Sequence, residues 1–143
     1  MAIVDYTTGV QPVAELGHRV MKAENKVDFS VVAASSGDVC QVLDIPAEAK
    51  VNRVDAVIVT AEGAAVTGTL GDGTTPNGWD ASVSANGAAG TLTSSQPGVD
   101  TYGYGKFYPT TDTIDFVVGV GGLDTAVIIF TAEYTLIERY AVT

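Results

Sequence analysis

The chain has 143 residues, enough for one domain that buries about two-thirds of the surface its unfolded form exposes, with no need of disulfides or metals. Its 17 acidic residues against 7 basic ones give a net charge of −10, which excludes the clustered cationic surface that direct nucleic-acid binding requires. A hydrophobic content of 46% excludes general disorder.

Ala, Val, Gly and Thr dominate, and the helix formers Leu, Lys, Arg and Glu are few. This favours strands and tight turns. Cys40 is the single cysteine, so neither an intrachain disulfide nor a cysteine metal cluster is expected. It lies in the strand-like run Asp38-Val-Cys-Gln-Val-Leu and reads as a small buried hydrophobe. A cysteine nucleophile wants a base, and the single histidine, His18, falls in a segment that would hold it poorly. The start Met1-Ala-Ile-Val-Asp-Tyr lacks the basic opening and apolar core of a signal peptide. No apolar stretch approaches the roughly 20 residues that span a bilayer. Synthesis in the cytoplasm and no membrane partner are the expectation.

The sequence divides into an arm, residues 1–25, and a body, residues 26–143. Asp5-Tyr-Thr-Thr-Gly-Val-Gln-Pro has turn residues without a sustained period. Pro12 to Asn25 predicts a short helix with Val13, Leu16, Val20 and Met21 near one face, weakened by Gly17. From Lys26 the period becomes two, with Val27, Phe29 and Val31 alternating with Asp28 and Ser30. Ser35-Ser-Gly-Asp turns the chain into a strand over 39–45, where Val39, Gln41, Leu43 and Ile45 are expected on one face. After Pro46, a strand over 51–61 sets Val54, Ala56 and Ile58 against Arg53, Asp55, Val57 and Val59.

Short strands are predicted near Val66–Leu70 and Trp79–Val83, around the loop Gly71-Asp-Gly-Thr-Thr-Pro-Asn-Gly-Trp-Asp, and a further one near 90–93. Tyr102-Gly-Tyr-Gly-Lys-Phe-Tyr-Pro reads as an aromatic strand. Thr113–Val120 aligns Ile114, Phe116, Val118 and Val120. A long final strand aligns Ala126, Ile128, Phe130, Ala132, Tyr134 and Leu136. Eight or nine strands at this spacing predict an all-β, two-sheet antiparallel sandwich. Val127 and Ile129 make the final strand apolar on its second face as well. A strand apolar on both faces needs a second cover, from another subunit, a loop or the N-terminal segment, and a subunit interface at Val127 and Ile129 is the expectation.

Candidate chemistry is sparse. The loop 71–80 has the composition of a calcium site, but its carboxylates Asp72 and Asp80 lack the spacing and closing acid of a cation loop. Asp-Gly and Asn-Gly are ordinary turn dipeptides, so a structural turn is expected and no metal or cofactor is assigned. Tyr102, Tyr104, Phe107 and Tyr108 offer a possible sugar-stacking platform, more simply read as a strand with aromatics on both faces. Asp112 and Asp115 read as solvent-facing and turn residues, not as the acid pair of a glycosidase. No catalytic residue is assigned, and the chain is not expected to be an enzyme.

The succession Val27-Asp-Phe-Ser-Val, Asp38-Val-Cys-Gln-Val-Leu-Asp-Ile-Pro-Ala, Val51–Thr60, Gly71-Asp-Gly-Thr-Thr-Pro-Asn-Gly-Trp and Thr111-Asp-Thr-Ile-Asp-Phe resembles the head decoration, or cement, proteins of tailed bacteriophages. The resemblance covers about residues 26–138, and the Asp5-Tyr-Thr-Thr-Gly opening is also similar. It implies a jelly-roll-like sandwich, a homotrimer and binding to the major capsid protein on the outer surface of the virion, where such proteins brace the shell. The arm would then be a strap, with Tyr6, Val10, Val13, Leu16 and Met21 as apolar contacts and Arg19, Lys22 and Lys26 facing acidic patches. The alternatives are a carbohydrate- or receptor-binding sandwich of a head fibre or tail, using Trp79, Tyr102, Tyr104 and Tyr108, and a tail or neck structural subunit.

Overall fold

Residues 20–137 are described by the computed structural model, and every regular element among them is a strand. In chain order these are β1 (Met21–Asp28), β2 (Val39–Ile45), β3 (Ala49–Thr60), β4 (Thr67–Gly71), β5 (Asp80–Ser84), β6 (Leu92–Ser94), β7 (Lys106–Tyr108), β8 (Asp112–Val118) and β9 (Val127–Leu136). One sheet has the order β1-β9-β3-β6, with β7 also on β3, and the other the order β2-β8-β4-β5. All the pairings are antiparallel. The first strand pairs with the last, the second with the next to last, and the third with β6 and β7, which are two pieces of one interrupted edge strand. This is a ribbon wound on itself into a jelly-roll-like sandwich, as expected from the sequence.

Alternation decides which side chains meet between the sheets. Ile128, Phe130, Ala132 and Tyr134 from β9 and Val54, Ala56 and Ile58 from β3 are buried as the sequence predicts, and they face Ile114, Phe116 and Val118 from β8. The Phe116 and Phe130 rings, one from each sheet, have centroids 5.5 Å apart. Each such side chain contributes about 1.5–3 kcal/mol of burial, so the inner faces of β3, β8 and β9 hold the layers together.

Four expectations are corrected. Met21–Asn25 are not the end of a helix: they form most of β1 and pair with Tyr134–Phe130 of β9, so the sandwich begins inside the stretch assigned to the arm. In β2 a bulge between Gln41 and Leu43 shifts the register, since one extra residue reverses the faces beyond it. Cys40, Val42, Leu43 and Ile45 are therefore buried, whereas Val39 is exposed and Gln41 half-buried. The aromatic strand shrinks to Lys106–Tyr108, because Gly105 takes a left-handed φ of 104° that ends the extended run. Val120 lies beyond β8 and is exposed.

Candidate functional site

Polar side chains converge most densely where the two sheets meet at a corner. Asp72 follows β4 in one sheet, and Lys106 and Tyr108 belong to β7 in the other, two residues apart and hence on one face. Asp72 Oδ2 accepts from Lys106 Nζ at 2.6 Å and from Tyr108 Oη at 2.9 Å. Its Oδ1 accepts from the amides of Thr74 and Thr75 at 3.0 and 2.8 Å, and from Tyr102 Oη at 3.3 Å. Trp79 Nε1 donates to Tyr108 Oη at 3.1 Å, and the Lys106 ammonium lies 4.5 and 4.7 Å from the Tyr102 and Tyr108 ring centroids.

The Asp72 side chain is fully buried. Burial opposes its charge, but Lys106, the Thr75 amide and Tyr108 hold the carboxyl below its usual range. Burial likewise disfavours the Lys106 ammonium, and its bonds to Asp72 and Tyr102 hold it above the usual lysine range. Burial raises the Tyr108 phenol strongly, so it remains a neutral donor.

Five donors on one buried carboxylate leave no opening for a substrate or a cation. The corner is a clamp between sheets. The local sequence allows it because Gly71 and Gly78 let backbone come close: a Cβ at Gly71 would collide with the Thr75 carbonyl and Pro76, and one at Gly78 with the Tyr102 ring. The loop 71–80 is thus the structural turn expected from its dipeptides, and its second carboxylate, Asp80, accepts from the Ser82 amide at 2.9 Å.

The remaining buried acids also face the protein's own donors. Glu62 Oε2 accepts from the amides of Asp124, Thr125 and Ala126 at 3.2, 3.1 and 3.0 Å. Burial works against this carboxylate, and the amides outweigh it and hold the group below the usual range. Asp115 is buried and not solvent-facing as expected. It accepts from Thr113 Oγ1 at 2.7 Å, and burial, reinforced by Asp112, pushes its carboxyl up. Burial also raises Asp80. No group of three His, Cys, Asp or Glu side chains suited to a metal occurs among the described residues.

The aromatic platform does not form. Trp79 and Tyr108 are buried and Tyr102 packs edge-on against Trp79 with centroids 5.2 Å apart, which leaves Tyr104, 79% exposed, and the partly exposed Phe107. A sugar-stacking face built on Trp79, Tyr102, Tyr104 and Tyr108 is therefore ruled out in this geometry.

Of the candidate contact residues, Tyr6, Val10, Val13, Leu16 and Arg19 lie outside the described residues, as does His18. Met21 packs half-buried against the core, opposite Tyr134. Lys22 is exposed and opposite Glu133. Val127 and Ile129 sit half-buried on the outer face of the first sheet, in the same cross-strand rows as Asp28 and Lys26 on one side and Thr60 and Val57 on the other. Leu92, 57% exposed, pairs with Val57 and extends this apolar patch. The far end of the face is charged, with Arg53 bonded to Asp55 at 2.9 Å and adjoining Glu133.

Sequence reasoning missed Asp72, Lys106, Glu62 and Asn25 as organising residues. Asn25 had a signal, a polar residue in the inward register between Ala23 and Val27. Lys106 and Tyr108 at i and i+2 hinted at a shared partner, but nothing local names Asp72.

No protein-family model and no curated protein matches the chain. Solved structures do. A chain of the cyanophage Pam1 capsid asymmetric unit is similar with a TM-score of 0.69 and 14% identity, over 90% of this chain and 92% of that one. The fold is that of phage-capsid chains. A chain of the capsid of Ralstonia phage GP4 aligns at TM-score 0.63 and 16% identity, over 95% and 99% of the two chains. A chain of the acidic stable capsid of Helicobacter pylori bacteriophage KHP30 aligns at 0.62 and 14%, over 85% and 90%.

Proposed function

We infer that this protein is a non-enzymatic structural subunit of a phage virion, which binds the major capsid protein on the outside of the shell and stabilises it. The observation that carries this reading is the near end-to-end likeness of the sandwich to a chain of a phage capsid asymmetric unit, over 90% of this chain and 92% of the other.

The chemistry of the surface supports it. The buried carboxylates of Asp72 and Glu62 are occupied by several of the protein's own donors, and those of Asp80 and Asp115 each accept a local one. A net charge of −10 suits a position on the outer surface, away from packaged nucleic acid. The apolar patch of Val57, Leu92, Val127 and Ile129 supplies an interface, and we assign it to the contact between copies in a homotrimer. Residues 1–19, with Tyr6, Val10, Val13, Leu16 and Arg19, together with the exposed Lys22, supply the strap. Each copy adds a modest contact, and many copies bridging neighbouring capsomers raise the barrier to their separation.

The test is binding of the purified full chain to purified shells stripped of accessory proteins. Saturable binding at a fixed ratio to capsomers, with slower heat rupture of the shell, is the expected result. Absence of binding to shells, together with binding to a glycan or to tails, would reassign the protein.

A further inference from the structure

β1 is the edge strand of its sheet, and among the described residues no strand pairs with its outer side. Phe29 gives its amide to Ala126, one step beyond the Asp28–Val127 pair. By antiparallel alternation Lys22, Glu24, Lys26 and Asp28 therefore turn their amides and carbonyls away from β9. The same four residues carry the outer-face side chains of β1, the first three exposed and Asp28 partly so. Their charges run plus, minus, plus, minus. In a chain of net charge −10 this edge is balanced. Charges on an edge usually oppose pairing; here their order selects a register.

We propose that two copies of the chain join β1 to β1 as antiparallel neighbours across a two-fold axis at Asn25, so that their first sheets become one continuous sheet. Such a contact uses the same surface on both copies. With the axis at Asn25, Lys22 of one copy lies opposite Asp28 of the other and Glu24 opposite Lys26, and by symmetry the reverse. All four outward rows then hold opposite charges, which stabilise directly opposed positions. An axis at Glu24 would set Lys22 opposite Lys26 and Glu24 opposite itself. An axis at Lys26 would set Glu24 opposite Asp28 and Lys26 opposite itself. The charge order therefore fixes the register as well as the partner.

The backbone and one buried side chain fit the same register. The two Glu24–Lys26 rows exchange N–H···O bonds in both directions. The Asp28 carbonyl already accepts from the Val31 and Val32 amides, so the outermost rows rest more on their ion pairs. On the inward side Asn25 is 1% exposed; its Nδ2 donates to the Val42 carbonyl at 2.9 Å, and its Oδ1 has no hydrogen-bond partner. Buried acceptors without a donor are rare enough to require an explanation. On the axis the two Asn25 residues form a non-hydrogen-bonded pair, the closer kind, with Cα atoms about 4.5 Å apart. The second Nδ2 proton of each is the donor that the other's Oδ1 lacks. Pairing also carries the exposed Val20 of each copy toward the turn of the other, which presents the exposed Val31 and Val32. A contact between two short strands is weak in solution and suits copies held close together on one surface. It is separate from the apolar face of Val57, Leu92, Val127 and Ile129, and it goes beyond the function proposed above, since it requires neither a trimer nor a shell.

Sedimentation of the full chain without shells tests it. Between about 1 μM and about 1 mM the weight-average mass of the wild type should at least double, whatever its state at the lower end. Glu24→Lys makes both central rows basic, and Lys26→Glu makes both acidic; each variant alone should associate at least about tenfold more weakly. Both side chains are exposed, so the two variants should melt with the wild type. An equimolar mixture of the two restores opposite charges in both central rows and should associate as the wild type does. A wild type whose mass stays constant, variants that associate as readily as the wild type, or a mixture no better than its components would each overturn the proposal. The second readout is carbodiimide coupling of an equal mixture of light- and heavy-isotope wild type at the upper concentration, followed by peptide mass mapping. Glu24–Lys26 links of mixed isotope are expected. Links of uniform isotope only, or none, would also refute it.

Discussion

Tyr108 donates its phenolic proton to Asp72 Oδ2 at 2.9 Å across 36 residues of chain, and so ties an edge strand of one sheet to the corner loop of the other. The same carboxylate holds the Lys106 ammonium at 2.6 Å. The clamp is an ion pair whose acid is buried and whose base is mostly buried, and the two halves of such a pair respond unequally to mutation.

Asp72→Ala leaves a cation and two phenols around an empty corner, and should cost on the order of 3 kcal/mol or more. Tyr108→Phe removes one donor of five and leaves the buried Trp79 Nε1–H without its acceptor, and should cost less, about 1–3 kcal/mol. Urea denaturation of both variants checks the order. A Tyr108→Phe loss equal to that of Asp72→Ala would mean that the phenol, and not the ion pair, organises the corner.

The pH dependence has two opposing parts. Asp72 and Glu62 are held below the ordinary carboxyl range in the folded chain, so their stabilisation is complete above that range and is lost as pH falls through their depressed values. Asp115 is raised by burial, so its ionisation weakens the fold once pH exceeds the ordinary range. Asp115→Asn should therefore match or exceed the wild type at pH 7, and the difference should shrink as pH falls through the raised value toward the ordinary one. Asp72→Asn should show the reverse, a deficit at pH 7 that closes in strong acid. Melting temperatures of both variants and the wild type from pH 7 down into strong acid separate the two signs.

The inner faces of β3, β8 and β9 were legible because their alternation is local and uninterrupted: Val54, Ala56 and Ile58, then Ile114, Phe116 and Val118, then Ile128, Phe130 and Ala132, each repeat at two. β2 was misread from its first residue because the bulge at Val42 depends on its fit to β8 and on Asn25, whose Nδ2 donates to the Val42 carbonyl at 2.9 Å, both distant in sequence. Met21–Asn25 read as helix because Val13, Leu16, Val20 and Met21 have helical spacing; pairing with β9 overrides that preference. Asp72 was invisible as a clamp because Gly-Asp-Gly is a turn signal in any protein, and its partners on the other sheet, Lys106 and Tyr108, lie 34 and 36 residues on. Asp115 was misassigned for the opposite reason: an acid beside apolar residues reads as outward, and here Thr113 supplies its donor.

Glycine substitutions separate close approach from simple turn chemistry within one loop. An alanine methyl at Gly71 meets the backbone of Thr75 and Pro76, whereas at Gly73 nothing lies within 4 Å. Gly71→Ala should cost about 1–3 kcal/mol by overpacking, or more if the Asp72 clamp shifts with it. Gly73→Ala should be neutral or slightly stabilising, since it restricts the unfolded chain. Calorimetric melting of the two variants tests the corner, and equal effects at the two positions would contradict the close approach at Gly71.

The outer face of the first sheet carries the prediction on assembly. Ile129 lies between Lys26 and Val57 in one cross-strand row, and Leu92 continues that row at the edge. Ile129→Glu places an acid opposite Lys26, an attractive cross-strand pair, and Leu92→Lys alters a side chain already more than half exposed. The double variant should therefore keep its fold, with a melting temperature within a few degrees of the wild type. It should nonetheless lose an interface that depends on burying this apolar row, because desolvating two introduced charges at the centre of a subunit contact costs several kcal/mol. Sedimentation of the wild type as a trimer and of the variant as a monomer, at micromolar concentration and in the same buffer, is the expected pair of results. A wild type that sediments as a monomer both alone and when recovered from shells removes the role assigned to this face. A variant that remains trimeric moves the subunit contact elsewhere, and leaves Val127 and Ile129 as the surface that meets the shell.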